Sequence, residues 1–337
     1  MLDVLRARGV HSKLVALIAD LYTDNTARAH ANGAYSAPFP TSCGVRQGCA
    51  ASPLLFNTVM DFVCRAVLAE CEAEGIQGIR VGYRIDGMLT APPRPCSDFL
   101  AVLMLLYADD VCLLCSTEQE LKHALEVFER VSAKWGLRLN YDKTKVMVVA
   151  AGQAQPDTQP SSQPGFQQVV AEKRPPLALQ RGSVGWVSHY KYLGSEVEEY
   201  MQQERELARR ISLASETFRK LHKVLRCAQV SLKAKMDVYK TIVLPMLLYG
   251  AAESWAPTEA QTQRLDVFHT RCLRRMLGVT VLDISNSELF ERTGARPVSA
   301  ILREYRLRWL GHVARREDSR WVKQLLFAHE MPGHHAG

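Results

Sequence analysis

Leu100-Ala101-Val102-Leu103-Met104-Leu105-Leu106-Tyr107-Ala108-Asp109-Asp110-Val111-Cys112-Leu113-Leu114-Cys115 holds two short apolar runs, Leu100–Leu106 and Val111–Cys115, on either side of Tyr107-Ala108-Asp109-Asp110. Apolar runs of this length bounded by a turn signal read as strands. The stretch is therefore a β-hairpin with adjacent carboxylates at its tip. Asp is common in turns, and a turn is one reading of the pair. The other is chemical. Two negative charges beside an apolar sheet are costly unless a cation neutralises them, and a hard divalent cation takes carboxylate oxygen. Cys112 and Cys115 form a Cys-x-x-Cys, but residues three apart on a strand face opposite ways, so they read as inert thiols and not as joint ligands.

Outward from the hairpin, Thr117-Glu118-Gln119-Glu120 is a capping box that opens a helix with Leu121, Leu125, Phe128, Val131 and Trp135 on one face, and Gly136 stops it. Upstream, Pro53 suits the first turn of a second helix, whose buried face is Leu54, Leu55, Val59, Phe62, Val63, Ala66 and Val67. Leu14, Val15, Leu17, Ile18, Leu21 and Tyr22 have helical spacing, and Asn32-Gly33 marks a turn. Downstream, Leu137–Val149 reads as a turn and strand, and residues 151–165, rich in Gln, Pro, Ser and Gly, read as a disordered insertion. Trp186–Val197 holds another hairpin, turning at Tyr192-Leu193-Gly194. From about Tyr200 the period is helical throughout, with helices expected at 201–226, 231–244, 258–277, 285–293 and 298–314.

The 337 residues allow more than one packed module. Net charge is +7, unevenly spread: residues 1–200 carry 19 Lys+Arg against 21 Asp+Glu, and the remainder 23 against 14. A basic back half suits a polyanionic partner, though a solvated helical surface gives the same count. Nine cysteines lack disulfide-like or zinc-like spacing. No leader is read at the start, and no apolar run reaches about 18 residues, so the chain reads as intracellular, nucleus or cytoplasm left open, without a membrane.

Tyr107-Ala108-Asp109-Asp110 between apolar strands resembles the signature of reverse transcriptases. About sixty residues earlier, Gly44-Val45-Arg46-Gln47-Gly48-Cys49 followed by Ser52-Pro53-Leu54-Leu55-Phe56-Asn57 resembles the Arg-Gln-Gly and Ser-Pro motif of retrotransposons. Gly136-Leu137-Arg138-Leu139-Asn140 with Lys143-Thr144-Lys145, and then Tyr190-Lys191-Tyr192-Leu193-Gly194, follow in the family's order. Leu248-Tyr249-Gly250 with Trp255, Leu273–Gly278 and Arg308–Val313 are similar to the C-terminal helices of LINE-type elements. The chain is accordingly identified as resembling a non-LTR (LINE-type) retrotransposon reverse transcriptase over nearly its whole length. Group II intron-type and telomerase-type polymerases fit the helices after Tyr200 less well.

The resemblance implies an α+β fold: residues 1–199 form a partial palm, an antiparallel sheet backed by helices near 53–72 and 117–135, and residues 200–337 form a helical thumb and C-terminal region. It implies two Mg²⁺ ions, Asp109 as main metal ligand and Asp110 in support. Arg46, Gln47, Gly48, Tyr107 and Lys143 would meet the incoming deoxynucleoside triphosphate, with Lys145 a weaker candidate. Tyr192, Leu193 and Gly194 would form the primer grip. Partners would be an RNA template and a DNA primer, with oligomeric state open. Arg209, Arg210, Lys220, Lys223, Arg274 and Arg275 are expected to include contacts to the template–primer duplex. The family's first catalytic motif, Ala-Phe-Asp, occurs nowhere in the sequence. The chain is therefore expected to be N-terminally truncated, to lack fingers, and to be inactive alone. A non-catalytic nucleic-acid-binding remnant is the rival reading.

Overall fold

The computed structural model describes residues 1–41, 44–83, 98–149, 174–201, 203–251 and 253–326. The polar insertion expected at 151–165 lies outside them. The chain forms two compact units: 1–140 with 178–182 and 324 onward, and 141–177 with 183–323.

The first unit contains helices α1 (Leu2–Ala7), α2 (Ser12–Tyr22), α3 (Ser52–Ala73) and α4 (Glu118–Ala133). Its short strands are β1 (Thr26–Ala27), β2 (His30–Ala31), β3 (Ala34–Tyr35), β4 (Phe39–Pro40), β5 (Ile79–Tyr83), β6 (Asp98–Val102), β7 (Met104–Tyr107) and β8 (Asp110–Leu113). They pair as antiparallel two-stranded ladders: β1 with β4, β2 with β3, β5 with β6, β7 with β8. The turn between β2 and β3 is Asn32-Gly33, with φ of 51° and 79°. Two successive positive φ values match the twist of a hairpin, which is why Asn-Gly serves there.

The core of this unit lies between α3 and α4. Val63, Val67 and Cys71 meet Ala124, Val127 and Val131, with Ile76 and Leu103 closing one end. Met104 and Leu113, opposite each other in the β7–β8 ladder, pack against the same cluster. Phe62 and Trp135 meet edge to face at 4.8 Å. The helical spacing of α2 is real, but only part of its stripe is covered: Val15, Ile18 and Tyr22 pack in a small cluster with Leu5 and Leu55, while Leu14, Leu17 and Leu21 are about half exposed.

The capping box at Thr117 forms only in part. Thr117 Oγ1 accepts from the Glu120 amide at 3.1 Å. The Glu120 carboxylate instead accepts from the amides of Gln77 (3.1 Å), Gly78 (2.9 Å) and Ser116 (2.9 Å). One charge thus ties the segment entering β5 to the segment leaving β8. Gly78 has φ +73°, and a Cβ there would stand 2.6 Å from the Val102 carbonyl oxygen and the Leu103 Cα. Only glycine fits that approach.

The second unit opens with β9 (Lys145–Val146) and, after β10 (Leu177–Ala178), β11 (Ser183–Trp186), which pairs in parallel with β9. β12 (His189–Tyr192) and β13 (Ser195–Glu198) form an antiparallel hairpin. After residue 201 the regular elements among the described residues are all helical: α5 (Glu204–Lys220), α6 (His222–Arg226), α7 (Leu232–Val238), α8 (Leu244–Leu248), α9 (Glu259–Leu277), α10 (Asn286–Thr293), α11 (Val298–Ala314) and α12 (Trp321–Leu326). The expected helix at 201–226 starts later and breaks at Leu221. The one expected at 231–244 runs on through a π-helical turn, Tyr239–Val243, into α8. Pro245 follows that turn. Proline lacks an amide hydrogen and crowds the preceding turn of an α-helix, and a widened turn accommodates it.

Thr258 and Gln261 complete the capping box of α9. The Ser285 hydroxyl caps α10, but Glu288 turns to Arg292 instead of the cap. Leu207, Phe218, Tyr239, Leu247, Leu265, Leu273, Leu289 and Leu302 lie in the core these helices enclose.

The three bonds to Glu120 generate a test. Glu120→Ala removes an acceptor for three backbone amides and is expected to lower stability by about 2 kcal/mol, the scale for hydrogen bonds to a charged group. The urea midpoint of the first unit measures it, and Glu120→Gln should recover part of the loss.

Candidate functional site

In the β7–β8 ladder Tyr107 faces Asp110, which leaves Ala108-Asp109 as a two-residue turn. Ala108 has φ 54°, unusual for a residue with a Cβ. Such strain persists where the surroundings over-determine it. Here the strands below are held by Met104 and Leu113 in the core and by the Leu114 amide bonded to the Leu103 carbonyl at 2.8 Å. Asp109 and Asp110 are exposed, as is Tyr107 at 64%. Among the described residues neither carboxylate has a hydrogen-bond or ion-pair partner. Two such adjacent carboxylates are oxygen donors of the kind Mg²⁺ takes, so the residues present fit as part of a metal site. No group of three or more His, Cys, Asp or Glu that could hold a metal occurs among the described residues. The cysteines beneath the tip are not ligand-like: burial raises Cys112, and burial with the nearby Glu120 charge pushes Cys115 up to about 12.

Arg46, Gln47 and Gly48 lie in an exposed loop before α3. Gly48 has φ +80°, and the space where a Cβ would stand is open. The Arg46 guanidinium is engaged, donating to Asn25 Oδ1 beyond the end of α2. The next residue, Cys49, shows something its sequence position does not signal. Hydrogen bonding from the Ala51 backbone, then from the Ser52 side chain, holds its thiol below the usual value.

Lys143, Tyr192, Leu193 and Gly194 belong to the second unit. The Lys143 carbonyl accepts from the Tyr190 hydroxyl at 3.4 Å, beside the β12–β13 hairpin. In that hairpin Tyr192 faces Ser195, and the turn is Leu193-Gly194 with φ of 47° and 85°. Its carbonyls are taken from outside. Gly194 O accepts from Arg209 Nη1 at 2.8 Å and from Arg210 Nη2, and Leu193 O accepts from the Tyr249 hydroxyl at 3.1 Å.

This geometry corrects part of the expected duplex surface. Arg210 is 3% exposed and its Nε lies 2.5 Å from the Glu206 carboxylate. Arg209 bonds Gly194 O and Glu206, with Glu196 at 3.7 Å. Arg274 is 9% exposed and bonds the Ile284 carbonyl and Asn286. Arg210 and Arg274 are buried in the fold, and Arg209, a quarter exposed, is engaged by the same hairpin. Lys220, Lys223 and Arg275 remain exposed. Sequence reasoning overlooked Glu206 and Tyr249 as the partners of the turn. The available signal was Glu206 and Arg210 at i, i+4 on the face that carries Leu207 and Ala214 into the core, together with the Leu248-Tyr249-Gly250 motif.

The thiol environments predict an order of reactivity. Iodoacetamide should modify Cys49 ahead of Cys64, Cys71, Cys112, Cys115 and Cys272, which burial pushes the other way. Peptide mapping after brief alkylation reads that order.

Residues 2–197 match the family model described as reverse transcriptase (RNA-dependent DNA polymerase). An uncharacterised transposon-derived protein of Caenorhabditis elegans is 26% identical over 223 residues, covering 65% of this chain and 74% of its own length. The RNA-directed DNA polymerase from the mobile element jockey of Drosophila melanogaster is 22% identical over 279 residues, 79% of this chain and 25% of the relative. The Pol polyprotein of a type-2 retrotransposable element of Drosophila melanogaster is 29% identical over 141 residues, 42% of this chain and 11% of the relative. The chain thus spans most of one relative and a quarter or less of the other two. With the model matching more than half of the chain and transposon-derived relatives on both sides of residue 197, this chain belongs to the reverse transcriptase family, in its non-LTR retrotransposon class.

Proposed function

We propose that this chain is the palm and thumb portion of a retrotransposon-encoded RNA-directed DNA polymerase, with RNA template, DNA primer and deoxynucleoside triphosphates as substrates. The observation that carries the reading is the Tyr107–Asp110 hairpin, two adjacent exposed carboxylates on a turn held by the core of the first unit. Asp109 and Asp110 would hold Mg²⁺, which when bound supplies positive charge against the oxygens of a transferring phosphoryl group. Gln47 and the open backbone at Gly48 would meet the incoming nucleotide, and Tyr107 would lie beside it. Arg46 would face phosphate or template only by exchanging its bond to Asn25. Lys143 would meet the triphosphate, and the Tyr192-Leu193-Gly194 turn would hold the primer end. Fingers are no part of this assignment, and an intracellular location accords with the proposed substrates.

Two carboxylates on one hairpin supply only part of a two-metal clamp. The proposal therefore includes inactivity of the 337-residue chain on its own. A basic stretch supports nucleic-acid binding without catalysis as the second reading. Residues 217–236 contain Arg219, Lys220, Lys223, Arg226, Lys233 and Lys235 and no acidic residue, and all but Lys235 are exposed. Exposed cations in such a run bind phosphate backbones with little regard to sequence.

Primer extension on an RNA template tests the first reading. Product should be undetectable with the chain alone and should appear when it is extended upstream by the corresponding segment of the jockey polymerase. Asp109→Asn should abolish that product, since the amide keeps the shape and loses the charge. Robust extension by the short chain would overturn the inactivity, and an unaffected Asp109→Asn variant would overturn the assignment of the site. Duplex binding tests the second. Affinity should fall linearly with log salt, and Lys223→Ala with Arg226→Ala should reduce the slope by about two, roughly one for each phosphate no longer neutralised. A slope unchanged by the double substitution would remove these residues from the interface.

A further inference from the structure

The β12–β13 turn is held in place by side chains from two separate helical segments, and their arrangement says more than that the hairpin exists. Leu193 and Gly194 both take positive φ, and Leu193 is 39% exposed at the tip. A β-carbon at Gly194 would stand 3.3 Å from Tyr249 Cε1 and from its hydroxyl oxygen, so Tyr249 lies directly against the turn. The Tyr249 hydroxyl donates to Leu193 O at 3.1 Å. The Arg210 guanidinium lies 4.5 Å from the centre of the Tyr249 ring and donates to Gly194 O. Both carbonyls of the turn are thus held by groups from beyond the hairpin.

Beneath this arrangement sits a buried charge. Glu206 is 1% exposed, and a lone carboxylate there would be prohibitively desolvated. It is neutralised by Arg210 Nε at 2.5 Å and Arg209 Nη1 at 3.3 Å, and it accepts from the Glu196 amide of β13 at 2.9 Å. Helix α5 therefore grips the hairpin twice, at a strand amide through Glu206 and at the turn carbonyl through its arginines. Tyr249, just past the end of α8, grips it a third time. Ser195 Oγ and Ser254 Oγ lie 3.5 Å apart on the same side. A turn that served only to reverse the chain would not need this. Types with two positive φ values form from their own residues, and carbonyls at an exposed turn are ordinarily left to water.

We propose that Tyr249 and Arg210 are positioning residues that set the Leu193-Gly194 turn for recognition of a recessed DNA 3′ end. The proposal rests on the reading of this hairpin as the primer-holding element. Neither residue needs to touch nucleic acid. Each fixes the direction of a turn carbonyl, and so the direction in which the Leu193 side chain and the neighbouring amides present themselves. Tyr249 is the sharper probe. Its ring is half exposed, and Tyr249→Phe keeps the ring over Arg210 while deleting the single hydroxyl that holds Leu193 O.

The experiment uses the full chain and two fluorescein-labelled RNA–DNA duplexes of the same sequence, one with a recessed DNA 3′ end and one blunt, titrated by anisotropy. The unsubstituted chain should prefer the recessed end. Tyr249→Phe should cut that preference about three- to tenfold, the size of one net hydrogen bond, with affinity for the blunt duplex and the thermal midpoint unchanged. Amide exchange at Gly194 and Ser195 should quicken. Arg210→Lys keeps a charge for Glu206 but loses the fork that reaches Glu206 and Gly194 together, and should lower the preference in the same way. A preference that survives both substitutions overturns the inference and leaves the reading of the hairpin standing. Equal losses on both duplexes also overturn it, because they signal a general weakening. Absence of any end preference in the unsubstituted chain overturns the reading itself and the inference with it.

Discussion

Two like charges on adjacent residues, carried by a turn whose first residue has φ 54°, form an arrangement that disfavours itself. Repulsion and backbone strain both act to open the Tyr107–Asp110 tip. Burial of apolar surface beneath it opposes them. Met104 and Leu113 face each other across the ladder and enter the cluster that joins α3 to α4. Leu103, one residue earlier, is itself in that cluster and accepts from Leu114. The tip is therefore an exposed, charged extension of a hydrophobic core. The Gly78 approach to Leu103 and the Glu120 carboxylate across Gln77, Gly78 and Ser116 keep the base of the hairpin from splaying.

The second unit solves a similar problem by the opposite means. Its turn, Leu193-Gly194, is held by polar bonds, among them those of the buried Arg210–Glu206 pair. Removing one partner of a buried pair leaves the other unpaired, which is far more disruptive than deleting one half of a surface pair. That asymmetry bears on Arg209 and Arg210, of which Arg210 is buried and Arg209 a quarter exposed. Their guanidiniums are already committed to Glu206, Glu196 and Gly194 O. Basic character useful to a polyanion resides instead along 217–236, where Lys223, Arg226 and Lys233 are exposed and Lys220 is paired with Glu216 at 2.8 Å.

These contrasts mark what could be read from residues alone. Hairpin positions followed from alternation and turn chemistry, because Asn32-Gly33 and Leu193-Gly194 need positive φ and Gly supplies it. Helix starts at Thr258 and Ser285 followed from capping, and the α3 and α4 faces largely from their spacing, except that Leu54, read as part of the buried α3 face, is 70% exposed and Trp135 of the α4 face 43%. The α2 stripe had the same spacing, yet Leu14, Leu17 and Leu21 stay exposed, since periodicity reports that a helix has an apolar face and not what covers it. Glu120 matched a capping box and went elsewhere, because the amides of the distant Gln77 and Gly78 and the nearby Ser116 together outcompete one cap amide. Charge counts placed cations in the back half without separating Arg210, sealed by Glu206, from Lys223 in solvent. That distinction depends on which face of α5 turns inward and on what a non-local strand presents to it.

The carboxylate pair was readable for a further reason. Functional groups that oppose stability stand out against a background chosen for folding. Asp109-Asp110 alone also reads as an ordinary turn, and it is the whole Tyr107-Ala108-Asp109-Asp110 stretch between apolar strands that sets it apart. Tyr249 and Glu206 carry no such mark. One is an aromatic at the end of a helix and the other a glutamate at i, i+4 from an arginine, and each is locally ordinary. Their part emerges only where two helical segments converge on the two carbonyls of a turn. A pair of exposed charges on a turn stands out in sequence, whereas groups that hold a backbone in place are hidden until the backbone is folded.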